Sequence, residues 1–238
     1  MPYIREECIC GAVIEVSKYY TVRYKSKKVH RNSRSGTTSE TQKKINQRNS
    51  EKQLTRLLNT NFTDGDYYLT LTYKNEPHSL SEARKDIENF IRRVKYQYRK
   101  YGIACKYIHS TEYKAKRIHH HIVINKAPDT NIKYGDIWGK GYVKPIQLYT
   151  GGEYSKLSLY LIKETSLTYN ASDGVYAKRY CQSKNLKKPK INKKIIPANS
   201  FSEIIKAYKG YELIENKTVS GYTANGYRYI SYVMRKIE

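Results

Sequence analysis

The sequence has no long apolar run, few cysteines and few acidic residues. No segment approaches the roughly 18 consecutive apolar residues of a membrane-spanning helix, and the N-terminal segment lacks the apolar region of a secretory signal. The cysteines are scattered, at Cys8, Cys10, Cys105 and Cys181. Because Cys8 and Cys10 have no second pair at zinc-finger spacing, they argue against a zinc finger and a disulfide framework. We therefore expect a cytoplasmic protein with reduced thiols and no membrane partner.

Acidic residues are outnumbered by basic ones. The chain has 21 Asp and Glu against 45 Lys and Arg, which gives a formal net charge of +24. Such an excess favours a polyanionic partner, since binding to phosphates releases counterions. Tyrosine is the main aromatic residue, with 26 Tyr against one Trp and three Phe, and tyrosine stacks well on single-stranded bases. An AT-rich coding sequence enriches Lys and Tyr in the same way, so composition leaves both explanations open.

Alternating and helical patterns predict an α+β fold with a central antiparallel sheet of about five strands flanked by helices. Residues 67–73, YYLTLTY, alternate between a leucine side and a threonine side, as expected of a central strand. Ser79 and Glu82 form a capping box before an apolar helical stripe that ends at Gly102. The remaining predicted elements are helices over 39–59, 155–165 and 202–208, and strands within 1–24 and over 142–149, 211–214 and 226–234.

The length of 238 residues fits one domain with appendages. We expect residues 1–60 to form basic N-terminal strands and a helix that pack on the core, and residues 61–165 to form the core itself. Residues 166–238 are expected to complete the domain. Within this range, residues 166–200 are predicted to be a weakly ordered basic arm or the wall of a groove, and a C-terminal helix and strands follow. The basic segment 25–38 is expected to be a loop.

A β-hairpin is predicted around the polar turn 114–117, which is flanked by two runs rich in Tyr, Ile, Val and Thr. With the turn placed symmetrically, Glu112 faces His119 across the hairpin. Directly opposed residues, and alternate residues along one strand, point to the same side of a sheet. His119, His121 and Glu112 therefore converge on one face, while His120 points to the other.

Two imidazoles and one carboxylate on a rigid sheet make a three-ligand metal site with open coordination positions. A run of histidines also occurs by chance on surfaces, and a lone His-x-His pair is more often structural than catalytic. The opposed carboxylate favours a metal site, but the hairpin alone leaves both explanations open.

Three motifs follow one another along the chain. They are LTLTY at 69–73, a Glu on the strand before His-x-His, and Tyr160-x-x-Lys163 on a downstream helix. On these motifs the chain resembles the HUH endonuclease superfamily, and within it the single-tyrosine rolling-circle replication initiators of bacterial phages and plasmids. The flanking segments NFTDGD at 61–66 and RYCQSKNLKKP at 179–189 are also similar to that family. The resemblance implies an HUH fold with an RRM-like sheet, and it makes the predicted core the catalytic core.

The resemblance further implies a divalent ion, Mg²⁺ or Mn²⁺, bound by His119, His121 and a third ligand, which its position indicates is Glu112. The family usually has a hydrophobic residue where this chain has His120, and strand alternation favours the outer two histidines as ligands. Nitrogen and oxygen ligands without a thiolate fit Mn²⁺ better than a closed structural zinc site.

The resemblance also implies a tyrosine nucleophile, which forms a covalent 5′-phosphotyrosine and leaves a free 3′-OH. Three tyrosines have a lysine three residues later: Tyr24, Tyr113 and Tyr160. Only Tyr160 is predicted on a helix downstream of the hairpin, where Lys163 shares its face and can contact the same phosphate. The alternative for Tyr160 is a place in the core, with Tyr154 and Tyr169 as other candidate nucleophiles.

The implied partner is single-stranded or locally melted origin DNA. The predicted DNA contacts are Thr70, Thr72, Arg179, Lys184, Lys187 and Lys188. The alternatives are ordinary β propensity for the threonines and a solvated loop for the basic residues. Because the sequence contains no G-x-x-x-x-G-K-[ST] phosphate loop, we expect a separate host helicase to unwind the origin.

Nicking and joining of origin DNA is thus the favoured function. The alternatives are a relaxase-type or transposase-type HUH nickase, a non-catalytic binder of single-stranded DNA or RNA, and a metal-dependent phosphodiesterase that uses water. Relaxases usually place the tyrosine before the histidines and transposases of this type are usually smaller, so Tyr160 after the hairpin favours replication.

Overall fold

A computed structural model describes residues 3–22, 39–113, 117–128, 131–165 and 178–237. The chain divides into two compact units. The central unit comprises residues 50–150 and 154–187, and the terminal unit comprises residues 1–49, 151–153 and 188–238. Both units combine segments that are distant along the chain, whereas the three ranges expected from the sequence follow the chain.

The strands and helices fall in the following order. They are β1 (Tyr3–Cys10), β2 (Val13–Tyr20), α1 (Glu40–Asn61), β3 (Tyr67–Thr72), α2 (Leu80–Lys100), β4 (Tyr107–Glu112), β5 (His119–Ile124), α3 (Tyr134–Trp138), β6 (Val143–Gln147), α4 (Ser155–Glu164), β7 (Cys181–Gln182), β8 (Lys190–Ile196), a 3₁₀ helix (Ala198–Ser200), β9 (Tyr211–Leu213), β10 (Val219–Tyr222) and β11 (Arg228–Lys236). None of the helices in the described ranges is long and apolar enough to cross a membrane.

The central unit is built on a five-stranded antiparallel sheet with the order β6-β3-β5-β4-β7. Alternation along β3 sends Leu69 and Leu71 to one face, which packs against α2 and α3 through residues such as Phe90. The same alternation sends Tyr68 to the other face, which packs against α4 and the C-terminal half of α1 through residues such as Leu58. We call these the α2 face and the α4 face. The predicted α+β fold, with a central sheet flanked by helices, is confirmed.

The ends of α2 follow the predicted signals. Ser79 Oγ accepts a hydrogen bond of 3.1 Å from the backbone N–H of Glu82, while the Glu82 carboxylate accepts one of 2.8 Å from the N–H of His78. At the other end, Gly102 has φ +67° and donates its N–H to Arg99 O at 3.0 Å. Glycine adopts this left-handed conformation without the steric cost of a Cβ, so the helix stops there.

The start of β3 is joined to the end of β5 through Asp66. Its buried carboxylate accepts backbone hydrogen bonds from Thr63 at 2.8 Å and from Lys126 at 2.7 Å. Burial raises the pKa of Asp66, against these two hydrogen bonds, which lower it. The side chain thereby holds the two central strands in register at one end.

The terminal unit contains a six-stranded antiparallel sheet with the order β10-β11-β2-β1-β8, in which β9 also pairs with β11. The expectation of a weakly ordered arm over 166–200 was wrong where the structure describes it, because Cys181–Gln182 and Lys190–Ile196 are strands. Basic side chains obscured the β pattern of β8. They are accommodated because β8 lies at a sheet edge, where Lys193 Nζ is 2.8 Å from Glu6 Oε2.

The predicted helix over 202–208 was also wrong. This segment has no regular structure, and Phe201, Ile205 and Tyr208 pack on the sheet of the terminal unit instead. A seven-residue helix is marginal by itself, so contacts with the sheet decide the backbone conformation. The predicted loop 25–38 lies outside the described residues.

Candidate active site

The β4–β5 hairpin has the register predicted from the sequence. Glu112 pairs with His119 and Ser110 pairs with His121, while the turn residues 114–116 lie outside the described residues. Since paired residues share a face, His119, His121 and Glu112 all lie on the α4 face.

Glu112 and His121 are buried and lie close together. The distance from His121 Nε2 to Glu112 Oε2 is 3.6 Å, and His121 Nδ1 shares a hydrogen bond of 2.7 Å with the Tyr68 hydroxyl. Burial, and then the charge of His119, lower the pKa of His121 to about 4. The imidazole is therefore neutral at pH 7, so its contact with Glu112 is not an ion pair. The neutral ring is also the form that binds metals.

His121 Nε2 is buried without a hydrogen-bond partner among the described residues. A ring nitrogen that faces a carboxylate oxygen is a donor pair suited to a divalent cation. The His119 ring centroid is 6.4 Å from that of His121. Within the part of the chain that the structure describes, no three His, Cys, Asp or Glu side chains form a group able to hold a metal. Of the three predicted ligands, His121 and Glu112 are the pair that the structure brings within 3.6 Å of each other.

His120 is fully buried on the α2 face. Its Nε2 shares a hydrogen bond of 2.9 Å with the Tyr73 hydroxyl, and its Nδ1 shares one of 2.9 Å with the Thr111 hydroxyl. The ring also meets Trp138 edge-on, with centroids 5.6 Å apart. Burial, and then neighbouring histidines, lower the pKa of His120 to about 3. Because both ring nitrogens are engaged, His120 is a neutral core residue.

Tyr160 lies on α4, beside His121 on the α4 face of the sheet. Its ring centroid is 5.7 Å from that of His121 and 6.5 Å from that of Tyr68. The side chain is 43% exposed, whereas the next residue, Leu161, is buried. Burial and then the charge of Glu164 raise the pKa of Tyr160, against a hydrogen bond with Tyr68 that lowers it. Tyr160 is thus a solvent-exposed aromatic residue beside His121, and its phenol is protonated at neutral pH.

The other candidate tyrosines differ from Tyr160. Tyr154 is only 1% exposed, and its hydroxyl donates a hydrogen bond of 3.1 Å to Asp64. Burial, and then the charge of Asp64, raise the pKa of Tyr154, so this residue is a poor nucleophile. Tyr169 lies outside the described residues. Lys163 is exposed in the last turn of α4, three residues after Tyr160.

Strand pairing extends the α4 face from the histidines to the edge of the sheet. His121 on β5 lies opposite Thr70 on β3, which lies opposite Lys144 on β6. In the neighbouring row, His119 lies opposite Thr72. Thr70 and Thr72 therefore lie between the histidines and β6, on the side of the sheet that the alternation predicts.

The predicted basic contacts are located around β7, at the other edge of the sheet. Lys184 and Lys187 are exposed, and Arg179 is half-buried just before the strand. The backbone at Lys187 is held by Asn61, whose side chain donates to its carbonyl at 2.8 Å and accepts from its N–H at 2.7 Å. Lys188 is exposed and belongs to the terminal unit.

Sequence reasoning missed two residues of this face. The alternation of YYLTLTY put Tyr68 on the side of Thr70 and Thr72, but nothing local indicated that its hydroxyl contacts His121. Lys144 could be found only from the pairing of β3 with β6, which joins segments about 70 residues apart.

Part of the chain matches the model of a known family. Residues 66–169, less than half of the chain, match the family model described as replication-associated protein ORF2/G2P. This similarity supports a replication initiator and covers all the residues discussed on the α4 face except those of α1. Neither the curated proteins nor the solved structures contain a significant match to the chain.

Proposed function

We propose that this protein is a rolling-circle replication initiator, which nicks single-stranded origin DNA and rejoins it through a covalent bond to Tyr160. The observation that carries the proposal is the position of Tyr160, with its ring centroid 5.7 Å from that of His121 on the face that also holds His119 and Glu112. The match of residues 66–169 to replication-associated proteins supports the same function.

His119, His121 and Glu112 are the proposed ligands of Mg²⁺ or Mn²⁺. The fit rests on His121 Nε2, which is buried without a hydrogen-bond partner among the described residues and faces Glu112 Oε2 at 3.6 Å. In the metal-binding tautomer, His121 Nδ1 carries the proton, and this N–H donates a hydrogen bond to the Tyr68 hydroxyl oxygen. When bound, the ion supplies Lewis acidity that polarises the scissile phosphate and offsets its developing charge.

The proposed covalent step belongs to Tyr160. Its phenolic oxygen attacks the scissile phosphorus and the phenolic proton passes to solvent. The bond from phosphorus to the 3′ oxygen breaks, and that oxygen takes up a proton from solvent. The products are a 5′-phosphotyrosine and a free 3′-OH, which can attack in reverse to rejoin the strand. Lys163, one turn further along α4, is the proposed cation that neutralises the phosphate.

The DNA partner is proposed to lie along the α4 face. Thr70 and Thr72 separate the histidines from the edge strand, and Lys144 offers a positive charge beside them. The basic residues Arg179, Lys184, Lys187 and Lys188 are further proposed contacts with the DNA backbone. Origin melting is assigned to a separate helicase.

The experiment uses a pool of 3′-labelled single-stranded oligonucleotides with randomised internal positions, incubated with the protein and Mn²⁺. The downstream fragment carries the label, so a covalent adduct appears as a labelled protein band that survives denaturation. We expect the band with wild type and none with Tyr160→Phe, which keeps the ring but lacks the attacking oxygen.

Tyr96→Phe is the matched control, since Tyr96 is similarly exposed but lies on α2. It should form adduct at the wild-type level. A full-strength band from Tyr160→Phe would move the nucleophile to another residue. Cleavage without any band in both proteins would instead indicate a hydrolytic phosphodiesterase.

A further inference from the structure

A separate cleft lies at the end of β3 and has a volume of about 840 Å³. Its walls are the loop after β3, the first turns of α2 and the segment before β6, and they include Thr72, Glu76, His78, Asp86, Lys140 and Tyr142. A volume of about 300–1,000 Å³ is typical of small-ligand sites. Because Thr72 pairs with His119, the cleft opens next to the histidine end of the sheet.

Asp86 is a buried carboxylate in the wall of this cleft, and it is only 7% exposed. Lys140 Nζ lies 3.0 Å from Asp86 Oδ1. The second oxygen, Oδ2, is buried and has no hydrogen-bond partner within the described ranges. Buried polar atoms almost always have such a partner, so an unused acceptor on a residue that lines the cleft points to a ligand with an N–H or O–H donor.

The wall opposite α2 is held rigidly against β3. Thr72 N donates to Tyr142 O at 2.9 Å, and Lys74 N donates to Lys140 O at 2.8 Å. A Cβ at position 141 would lie 2.3 Å from Thr72 O, so only glycine permits this approach. The cleft therefore has a preformed wall.

Tyr142 is the aromatic group of this wall, and it is 68% exposed. An exposed ring on a fixed backbone segment is a suitable platform for stacking a base. Tyr149, beyond the other end of β6, is 69% exposed but does not line the cleft. The two tyrosines thus form a matched pair for experiments.

We propose that this cleft binds one unpaired nucleobase of the DNA strand and contributes to sequence preference. Tyr142 stacks on the base, and Asp86 Oδ2 accepts a hydrogen bond from its exocyclic amino group. Adenine, cytosine and guanine carry such a group, whereas the only ring N–H of thymine lies between two carbonyl oxygens that repel a carboxylate. The proposal rests on the proposed function for the identity of the ligand as DNA.

The test selects bound molecules from a pool of single-stranded DNA with ten randomised positions, in EDTA, and sequences them. Without a divalent ion the selection reports binding alone. We expect wild type to disfavour thymine at one position, and Asp86→Asn to lose this preference there while it keeps the others. Tyr142→Ala should bind the selected pool about tenfold more weakly, with Tyr149→Ala unchanged.

The proposal is overturned if Asp86→Asn keeps every wild-type base preference and Tyr142→Ala binds the selected pool with wild-type affinity. Circular dichroism on each variant establishes that it is folded, and Tyr142→Ala changes an exposed side chain, so it tests the cleft even if Asp86→Asn is unstable. The adduct assay separates the two proposals. If wild type forms the adduct but the cleft variants select the same sequences as wild type, the cleft proposal fails and the nicking proposal stands. If the cleft variants select different sequences but wild type forms no adduct, the nicking proposal fails and the cleft proposal stands.

Discussion

The two faces of the central sheet share their strands but differ in what covers them. On the α2 face, His120 packs against Trp138 and uses both ring nitrogens in hydrogen bonds. On the α4 face, the adjacent residue His121 has one nitrogen bonded to Tyr68 and the other turned to Glu112. Neighbouring residues of the same type therefore differ in chemistry, because strand alternation sends one into the core on the α2 face and the other to the α4 face, beside Glu112 and the exposed Tyr160.

The largest effect expected from this difference is in catalysis. His119→Ala removes a proposed ligand that is only half-buried, so the fold should remain intact. We expect adduct formation in Mn²⁺ to fall about a thousandfold, because the developing charge on the phosphate loses its stabilisation. The adduct assay, together with thermal unfolding, measures this. Wild-type activity in this variant would remove His119 from the site.

The second effect concerns stability on the opposite face. His120→Ala opens a cavity and leaves the hydroxyls of Tyr73 and Thr111 without their partner. We expect the free energy of unfolding in urea to fall by about 3 kcal/mol. The folded fraction should still form adduct at a rate within about twofold of wild type. Loss of activity with unchanged stability would contradict the assignment of His120 to the core.

The buried histidines also predict a pH dependence of stability. Burial lowers the pKa of His109 to about 4 and that of His120 to about 3, below the ordinary value near 6.5. These histidines bind protons more readily in the unfolded state. Their contribution to the free energy of unfolding is therefore complete above pH 6.5 and is lost as the pH falls toward 4. At pH 5 the loss is about 2 kcal/mol for each histidine.

Urea unfolding at pH 7 and pH 5 checks this, with His109→Leu as the comparison. Between pH 7 and pH 5, the free energy of unfolding should fall less in this variant than in wild type, by about 2 kcal/mol, which is the contribution of one histidine. An equal difference in both proteins would mean that His109 does not bear the predicted shift.

The smallest expected effect is on metal affinity, and it compares adjacent residues on the two faces of β3. Tyr68→Phe removes the hydroxyl bonded to His121 Nδ1, and loss of such an outer partner typically weakens metal binding about tenfold. We expect the Mn²⁺ concentration for half-maximal adduct formation to rise by that factor. Tyr67→Phe, which changes the adjacent residue on the α2 face, should leave it unchanged. If both variants have the same Mn²⁺ concentration for half-maximal adduct formation, the Tyr68 hydroxyl does not contribute to the metal site.

Local patterns were sufficient for the hairpin and its register. The turn and the alternation of Ile, Val and Thr gave the pairing of Glu112 with His119 without reference to the rest of the fold. They were not sufficient for the terminal unit, where β8 carries many lysines and the 202–208 segment carries helical residues. In both cases, pairing or packing with distant strands overrode the local preference.

The sequence by itself determined which face each residue of β3, β4 and β5 occupies, because a strand has a side-chain period of two and a short turn sets its partner. Only the tertiary structure decided what each face meets. The hydrogen bond between Tyr68 and His121, the proximity of Tyr160 to His121 and the contact of Asp86 with Lys140 all join residues that are about 40 to 55 positions apart. Such contacts depend on how helices dock on the sheet, and no short-range pattern encodes that docking.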